Sequence, residues 1–232
     1  MNYSPILSIA TVIFEITAGI WAWIGRGRKA ILRSSAMILF LLAAYQIIET
    51  VLCSNPEGMK TFGRIAFMVV LWLPPTGLLL LSLLAGKKEI WLRIYTFVFY
   101  AIAVFIFIWL LIDRTPIGVS VCLVVFARYY DAMPATLNLI YAAFYQLGLI
   151  SMLCISGILS VKTEDAFQRK LIGQVLFGCL AFIIPTFIVI NLFDITQGAF
   201  SSILCHFALL LAFFICRLIW LERKHTTAQT QS

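Results

Sequence analysis

Seven stretches of about 20 or more mostly apolar residues divide this chain, separated by short polar turns, and they constrain its fold more than any motif. A helix needs about 20 such residues to cross the hydrocarbon core of a bilayer. The spans read 5–25, 34–53, 64–85, 90–112, 134–160, 171–193 and 199–221. They leave no room for a soluble domain. The expectation is an all-α, integral membrane seven-helix bundle over residues 1–225, with "TTAQTQS" closing as a disordered tail at 226–232. Composition agrees: 62% of the 232 residues are hydrophobic and 12% charged, too much apolar surface for a soluble domain of this size to hide.

Cations orient the bundle. "RGRKAILR", "GKKEIWLR", "SVKTEDAFQRK" and "CRLIWLERK" carry thirteen Lys and Arg on one side, against Lys60, Arg64, Arg114 and Arg128 on the other. The positive-inside rule then places the N-terminus outside and the C-terminus in the cytoplasm. The net charge of +7 is accounted for by topology and calls for no nucleic acid. The first residues lack a basic n-region and a small-residue cleavage site, so they read as a retained helix. The bacterial inner membrane is the expected location and the lipid bilayer the expected partner.

The longest loop, 113–133, has a β-branched and aromatic middle, "VSVCLVVFARYY", too short to cross. It reads as an extracellular lid, either a hairpin or an interfacial segment. Cys53 and Cys122 both fall on the outer side, where disulfides persist, and form a candidate bridge; two separate thiols are the alternative. Pro74, Pro75 and Pro185 fall within helices three and six and should bend them.

Polar residues inside the spans need an explanation, because an ionised carboxylate facing lipid costs several kcal/mol. Ser4, Ser8, Thr11 and Glu15 share one face of the first helix. Tyr45, Gln46, Glu49 and Cys53 do so on the second, Asn138, Tyr141, Tyr145 and Gln146 on the fifth, and Ser202, Cys205 and His206 on the seventh. At about 1.5 Å per residue, Glu49 lies roughly 6 Å below the outer end, Gln46, Tyr141 and His206 about 10 Å, and Glu15 about 15 Å. The inner halves of these helices read as almost wholly apolar. An outward-facing polar pocket bearing Glu15, Gln46, Glu49, Tyr141, Tyr145 and His206 would follow. It would bind a small ligand, a cation or a proton, as a receptor or carrier does, with Glu15 and Glu49 sharing a proton. The alternative is a structural or accessory subunit, packed on a partner membrane protein, whose polar groups only join helices.

Enzyme chemistry is not favoured. The seven lysines sit in loops or at helix ends, which excludes a retinal Schiff base in the last helix. The chain has two histidines, His206 and His225. Zinc hydrolases of the seven-helix type use several within the membrane, and haem b held between helices wants a pair. Two carboxylates and one imidazole could hold a metal, but no ligand spacing on one helix supports it. Metal and cofactor therefore stay unassigned.

The segment 26–93, with its late acidic residue in helix two (Glu49), prolines in helix three (Pro74, Pro75) and glycine after it (Gly86), resembles the seven-helix N-terminal sensor modules of bacterial histidine kinases. "SSILCHF" is similar to the last helix of uncharacterised seven-helix membrane families. No kinase sequence follows helix seven within the chain, so the resemblance implies a sensory or ligand-binding role whose output passes through a partner.

Overall fold

The computed structural model describes residues 6–54, 62–86, 89–113, 118–122, 127–130, 134–192 and 200–231. Eight helical segments follow one another: α1 (Ile6–Trp23), α2 (Lys29–Ser54), α3 (Phe62–Val70), α4 (Leu73–Ala85), α5 (Ile90–Ile112), α6 (Ala135–Lys162), α7 (Ala166–Leu192) and α8 (Phe200–Gln231). Two short strands, β1 (Gly118–Cys122) and β2 (Ala127–Tyr130), stand between α5 and α6.

α3 and α4 are one interrupted helix, so seven rods make up the bundle. The interruption has a local cause. Pro74 and Pro75 have no N–H to give the carbonyls of Val70 and Leu71. The chain therefore turns through Leu71 and Trp72, with the Trp72 N–H bonded to the Val69 carbonyl at 3.2 Å, and resumes when Thr76 N–H reaches the Trp72 carbonyl at 3.2 Å. Gly86, at φ 79°, ends α4 in a conformation a side chain would resist. Pro185 lies inside α7 without ending it.

Among the described residues six segments are long and apolar enough to cross a membrane: Ile6–Trp23, Lys29–Ser54, Gly63–Ala85, Ile90–Ile112, Ala135–Lys162 and Ala166–Val189. That is the composition of an integral membrane protein. α2 and α4 are central. α2 packs on α1, α3, α4 and α8, and α4 on α2, α5, α6 and α7. The core between them is leucine-rich, with Leu32, Leu39, Leu78, Leu81 and Leu84 fully buried. α1 and α5 flank this core, and most of their surface faces outward.

Consecutive rods run antiparallel, so the bundle has two ends. One gathers the end of α1, the start of α2, the α4–α5 and α6–α7 turns and the end of α8. It is tied by an Arg28–Glu222 ion pair at 2.7 Å and a Lys162–Glu89 pair at 2.6 Å. Eleven of the thirteen cations of the larger group belong to described segments at this end, and Lys87 and Lys88 lie outside the described residues. A cleft of about 500 Å³ opens there beside Gly86, Glu89, Lys162 and Asp165. Lys60 and Arg114 of the smaller group lie outside the described residues.

Several boundaries differ from the sequence reading. α2 starts at Lys29 and α7 at Ala166, each five residues before the apolar run, because polar residues extend a helix past the core. α8 continues through the cationic segment and on to Gln231, so residues 226–231 are helical where a disordered tail was expected. At 1.5 Å per residue α8 is about 48 Å long, well beyond the roughly 30 Å of hydrocarbon.

Within the 113–133 loop, β1 and β2 pair antiparallel, Gly118 opposite Tyr130 and Cys122 opposite Ala127, with a register shift between Val119 and Val121. Of the two forms expected, the hairpin is the one present. Cys122 at its edge is bonded to Cys53 near the end of α2, Cα atoms 5.6 Å apart.

Candidate functional site

The buried face of α1 consists of Ser8, Thr11, Glu15, Gly19 and Ala22, at spacings of three, four, four and three. Gly19 governs how close α1 comes to α2: a Cβ there would stand 2.6 Å from Cε1 of Phe40. One turn from this close approach, Glu15 is fully buried. Neither of its carboxyl oxygens has a hydrogen-bond partner. Thr11, on the same face, turns its hydroxyl inward to the Leu7 carbonyl at 2.9 Å. Ser4 lies outside the described residues.

Gln46 and Glu49 are also fully buried, with Tyr45 beside them. Unlike Glu15, all three have interaction partners, as does His206. The Gln46 carbonyl accepts the Thr50 hydroxyl at 2.8 Å. His206 is half-buried on α8. The side chains of Ser202 and Cys205 lie outside the described residues.

Tyr141 and Tyr145 stack with their rings parallel to within 3° and 6.3 Å between centroids. The Tyr141 hydroxyl donates to the Phe67 carbonyl at 3.0 Å, just before the α3–α4 interruption. That bond joins α6 to the third rod at a carbonyl that also accepts the Leu71 N–H at 3.0 Å. Tyr145 faces a small cavity of about 30 Å³ among Leu42, Leu73, Met152, Phe182 and Ala208. Its walls are apolar, and a space of this kind stays dry. Neither this cavity nor the cleft at the cationic end is lined by Glu15, Glu49 or His206. Asn138 and Gln146, expected on the polar face of this helix, are exposed instead. Gln146 follows Tyr145 by one residue, which turns it 100° away from the core.

The half of the bundle at the cationic end is more polar than the sequence suggested. Ser34, Ser35, Ser82, Thr96, Ser156 and Gln174 are buried there, and Tyr95 and Ser151 share a hydrogen bond of 2.7 Å between α5 and α6. Single hydroxyls in an apolar run read as tolerated; several helices supplying them at one depth is visible only in three dimensions.

Glu222 is the largest residue missed. Its side chain is 2% exposed and holds Arg28 by Nε at 2.8 Å, by Nη2 at 2.7 Å and by the backbone N–H at 3.1 Å. Burial pushes this carboxyl upward, but the hydrogen bonds and charge of Arg28 outweigh it and hold it below the usual carboxylate range. Next to it, Arg223 donates to the Trp21 carbonyl at 3.2 Å, and His225 stacks on Phe167 at 3.9 Å. Counting only cations along "CRLIWLERK" conceals the lone acid among them. At the neighbouring turn Glu89 is held low by hydrogen bonds from Lys162 and Trp91.

Among the described residues no three His, Cys, Asp or Glu side chains converge as metal ligands. No protein-family description, curated protein or solved structure matches the chain.

Proposed function

We propose that this is an integral membrane protein of the inner membrane, N-terminus outside, that binds a proton or small cation within its seven-helix bundle in the manner of a receptor or carrier. One observation carries the reading: Glu15 is buried on α1 with both carboxyl oxygens unpartnered. A buried polar group left unsatisfied costs about 1–3 kcal/mol, and an ionised one more. A group that only joined helices would be bonded to something. Glu15 is therefore carried neutral, or ionised with a cation beside it, and exchange between those states is what it offers. The resemblance of residues 26–93 to sensor modules points the same way, with a partner protein receiving the output.

Hydrophobic carbodiimides modify protonated carboxyls in lipid, so mass mapping after dicyclohexylcarbodiimide treatment tests the reading. Glu15 is expected to be modified, less so at higher pH or in the presence of sodium or potassium, and not in Glu15→Gln. Glu15→Met, which fills the space without a polar group, is expected to stabilise the fold by about 1–2 kcal/mol while abolishing the ion effect. A Glu15 that never reacts, with a stability blind to pH and cation, would make it inert packing. Orientation is checked separately: a cysteine at position 55 should label from outside and one at position 88 should not.

The second reading, a structural or accessory subunit, is favoured by Tyr141 and Tyr95, whose hydroxyls bridge helices.

A further inference from the structure

The outward face of α8 changes character along its length. Leu210, Phe213, Arg217, Trp220 and Lys224 recur at spacings of three, four, three and four, which places them in one stripe. All five are exposed, Phe213 at 60% and Trp220 at 50%. The opposite face, with Leu211, Ile215, Leu218 and Glu222, is buried against the bundle. The stripe thus runs from apolar residues to a pair of cations with tryptophan between the two, the sense in which a bilayer passes from acyl chains to headgroups.

Arg217 and Lys224 are separated by seven residues, about 10.5 Å of helix. Lys224 folds back over the Trp220 ring, its Nζ 5.2 Å from the centroid. Arg217, a turn deeper and flanked by Phe213, must extend toward the headgroups to hydrate its charge. Lys224 is thus held at Trp220, and an Arg217 that snorkels toward the headgroups would approach the same ring from the deeper side. Nothing on the stripe neutralises them: Glu222, the nearest acid in sequence, faces the other way and is committed to Arg28.

We infer that Arg217, Trp220 and Lys224 form a site for the phosphate of an anionic glycerophospholipid in the inner leaflet, its acyl chains lying along Phe213 and Leu210. This rests on the membrane reading above. It adds a specific lipid, held by charge and by an aromatic platform, to a helix that continues past the membrane surface. Arg supplies a fork of donors to phosphate oxygens, and Lys a point charge beside them.

Brominated lipids quench nearby tryptophan, so the full-length protein in phosphatidylcholine vesicles can report its own neighbours. The signal of Trp220 is the difference between the wild type and Trp220→Phe. Brominated phosphatidylglycerol is expected to quench it at a several-fold lower mole fraction than brominated phosphatidylcholine. R217Q/K224Q should erase that preference, about fivefold for each cation removed. R169Q/K170Q, which removes two exposed cations from the start of α7 at the same end, should leave it intact, and R217K/K224R should keep most of it. A preference that survives R217Q/K224Q, or falls equally in R169Q/K170Q, overturns the site and leaves only general surface charge. Trp220 quenched by neither lipid would remove α8 from the bilayer, and the membrane reading would fall with the site.

Discussion

Arg28→Ala should destabilise the protein by about 2–3 kcal/mol, and the reasoning behind that figure can be tested in parts. The pair it breaks is unequal: the Glu222 side chain is 2% exposed and that of Arg28 40%. Breaking a fully buried pair costs about 3–5 kcal/mol, since the charge left behind is uncompensated, whereas an exposed pair is worth about 0–1 kcal/mol. Here the acid is buried and the base half in water, which puts the loss between those limits. Glu222→Ala should cost less, about 2 kcal/mol, because the freed guanidinium can hydrate. In a double-mutant cycle the coupling should come to about 1–2 kcal/mol. Unfolding in mixed micelles can be followed by alkylation of Cys179, buried in α7, in a Cys154→Ser background that removes the exposed thiol. The pH dependence has a fixed sign. Glu222 is held below the ordinary carboxylate range when folded, so its contribution is fully present above the unfolded value near about 4.3. It is lost as pH falls through the lower folded value. Glu222→Gln should flatten stability across that acid window and leave neutral pH as the place where the mutant differs most. A coupling near zero, or an unchanged acid limb in Glu222→Gln, would refute the account.

Two further perturbations follow from packing and covalent structure. The Cys53–Cys122 bridge spans 69 residues and, on the chain-entropy model, contributes about 4 kcal/mol; reduction should shift gel mobility in the wild type and not in Cys53→Ser, and two freely alkylated thiols in the native protein would contradict the bridge. Gly148→Ala puts a Cβ 2.4 Å from Cβ of Pro74 and should cost about 1–3 kcal/mol, whereas Gly157→Ala meets nothing within 4 Å and should be neutral or stabilising by up to about 1 kcal/mol; equal thermal stability in the two variants would show that the α4–α6 contact is looser than described.

The rods were legible because lipid imposes one rule on every span: apolar residues for the length of the core, and backbone bonds satisfied within the segment. The break at Pro74 and Pro75 followed from proline chemistry alone. The hairpin was one of two forms the β-branched run allowed, and pairing across it decided between them. What the sequence hid were relations between distant segments. Helical spacing grouped Asn138 with Tyr141 and Gln146 with Tyr145, but the width of the buried face of α6 is set by its neighbours, and both amides fell outside it. Depth counting treated each helix alone; the offset of α1 and α8, marked where Arg223 reaches the Trp21 carbonyl, is in no single-helix count. Arg28 and Glu222 lie 194 residues apart. Their pairing rests on α8 outrunning the apolar span, and that came from continuing the helix through residues read as tail.

The three unusual features of α1 and α8 lie on one seam. α1 contacts only α2 and α8 among its stronger neighbours. It is held to α2 by the close approach at Gly19 and to α8 by Arg223 at the Trp21 carbonyl, with the Arg223 guanidinium 4.6 Å from the Trp21 ring. Glu15 sits inside this seam. Ionising it without a cation would place an uncompensated charge between α1 and its neighbours, and the cheapest relief is for α1 to move, since little of its surface is buried. At the inner end of the same seam, Glu222 fixes the turn between α1 and α2 to α8. A shift of α1 driven from Glu15 would therefore be resisted by the Arg28–Glu222 clamp and transmitted to the cationic last part of α8. Glu15→Asp, which keeps the charge but retracts it by one methylene, should then change the protection of Trp21 and Arg223 from exchange and proteolysis at the inner end, and Arg28→Ala should uncouple the two. If perturbing Glu15 alters nothing beyond its own turn of α1, the seam is not a lever, and ion binding at Glu15 would stay local.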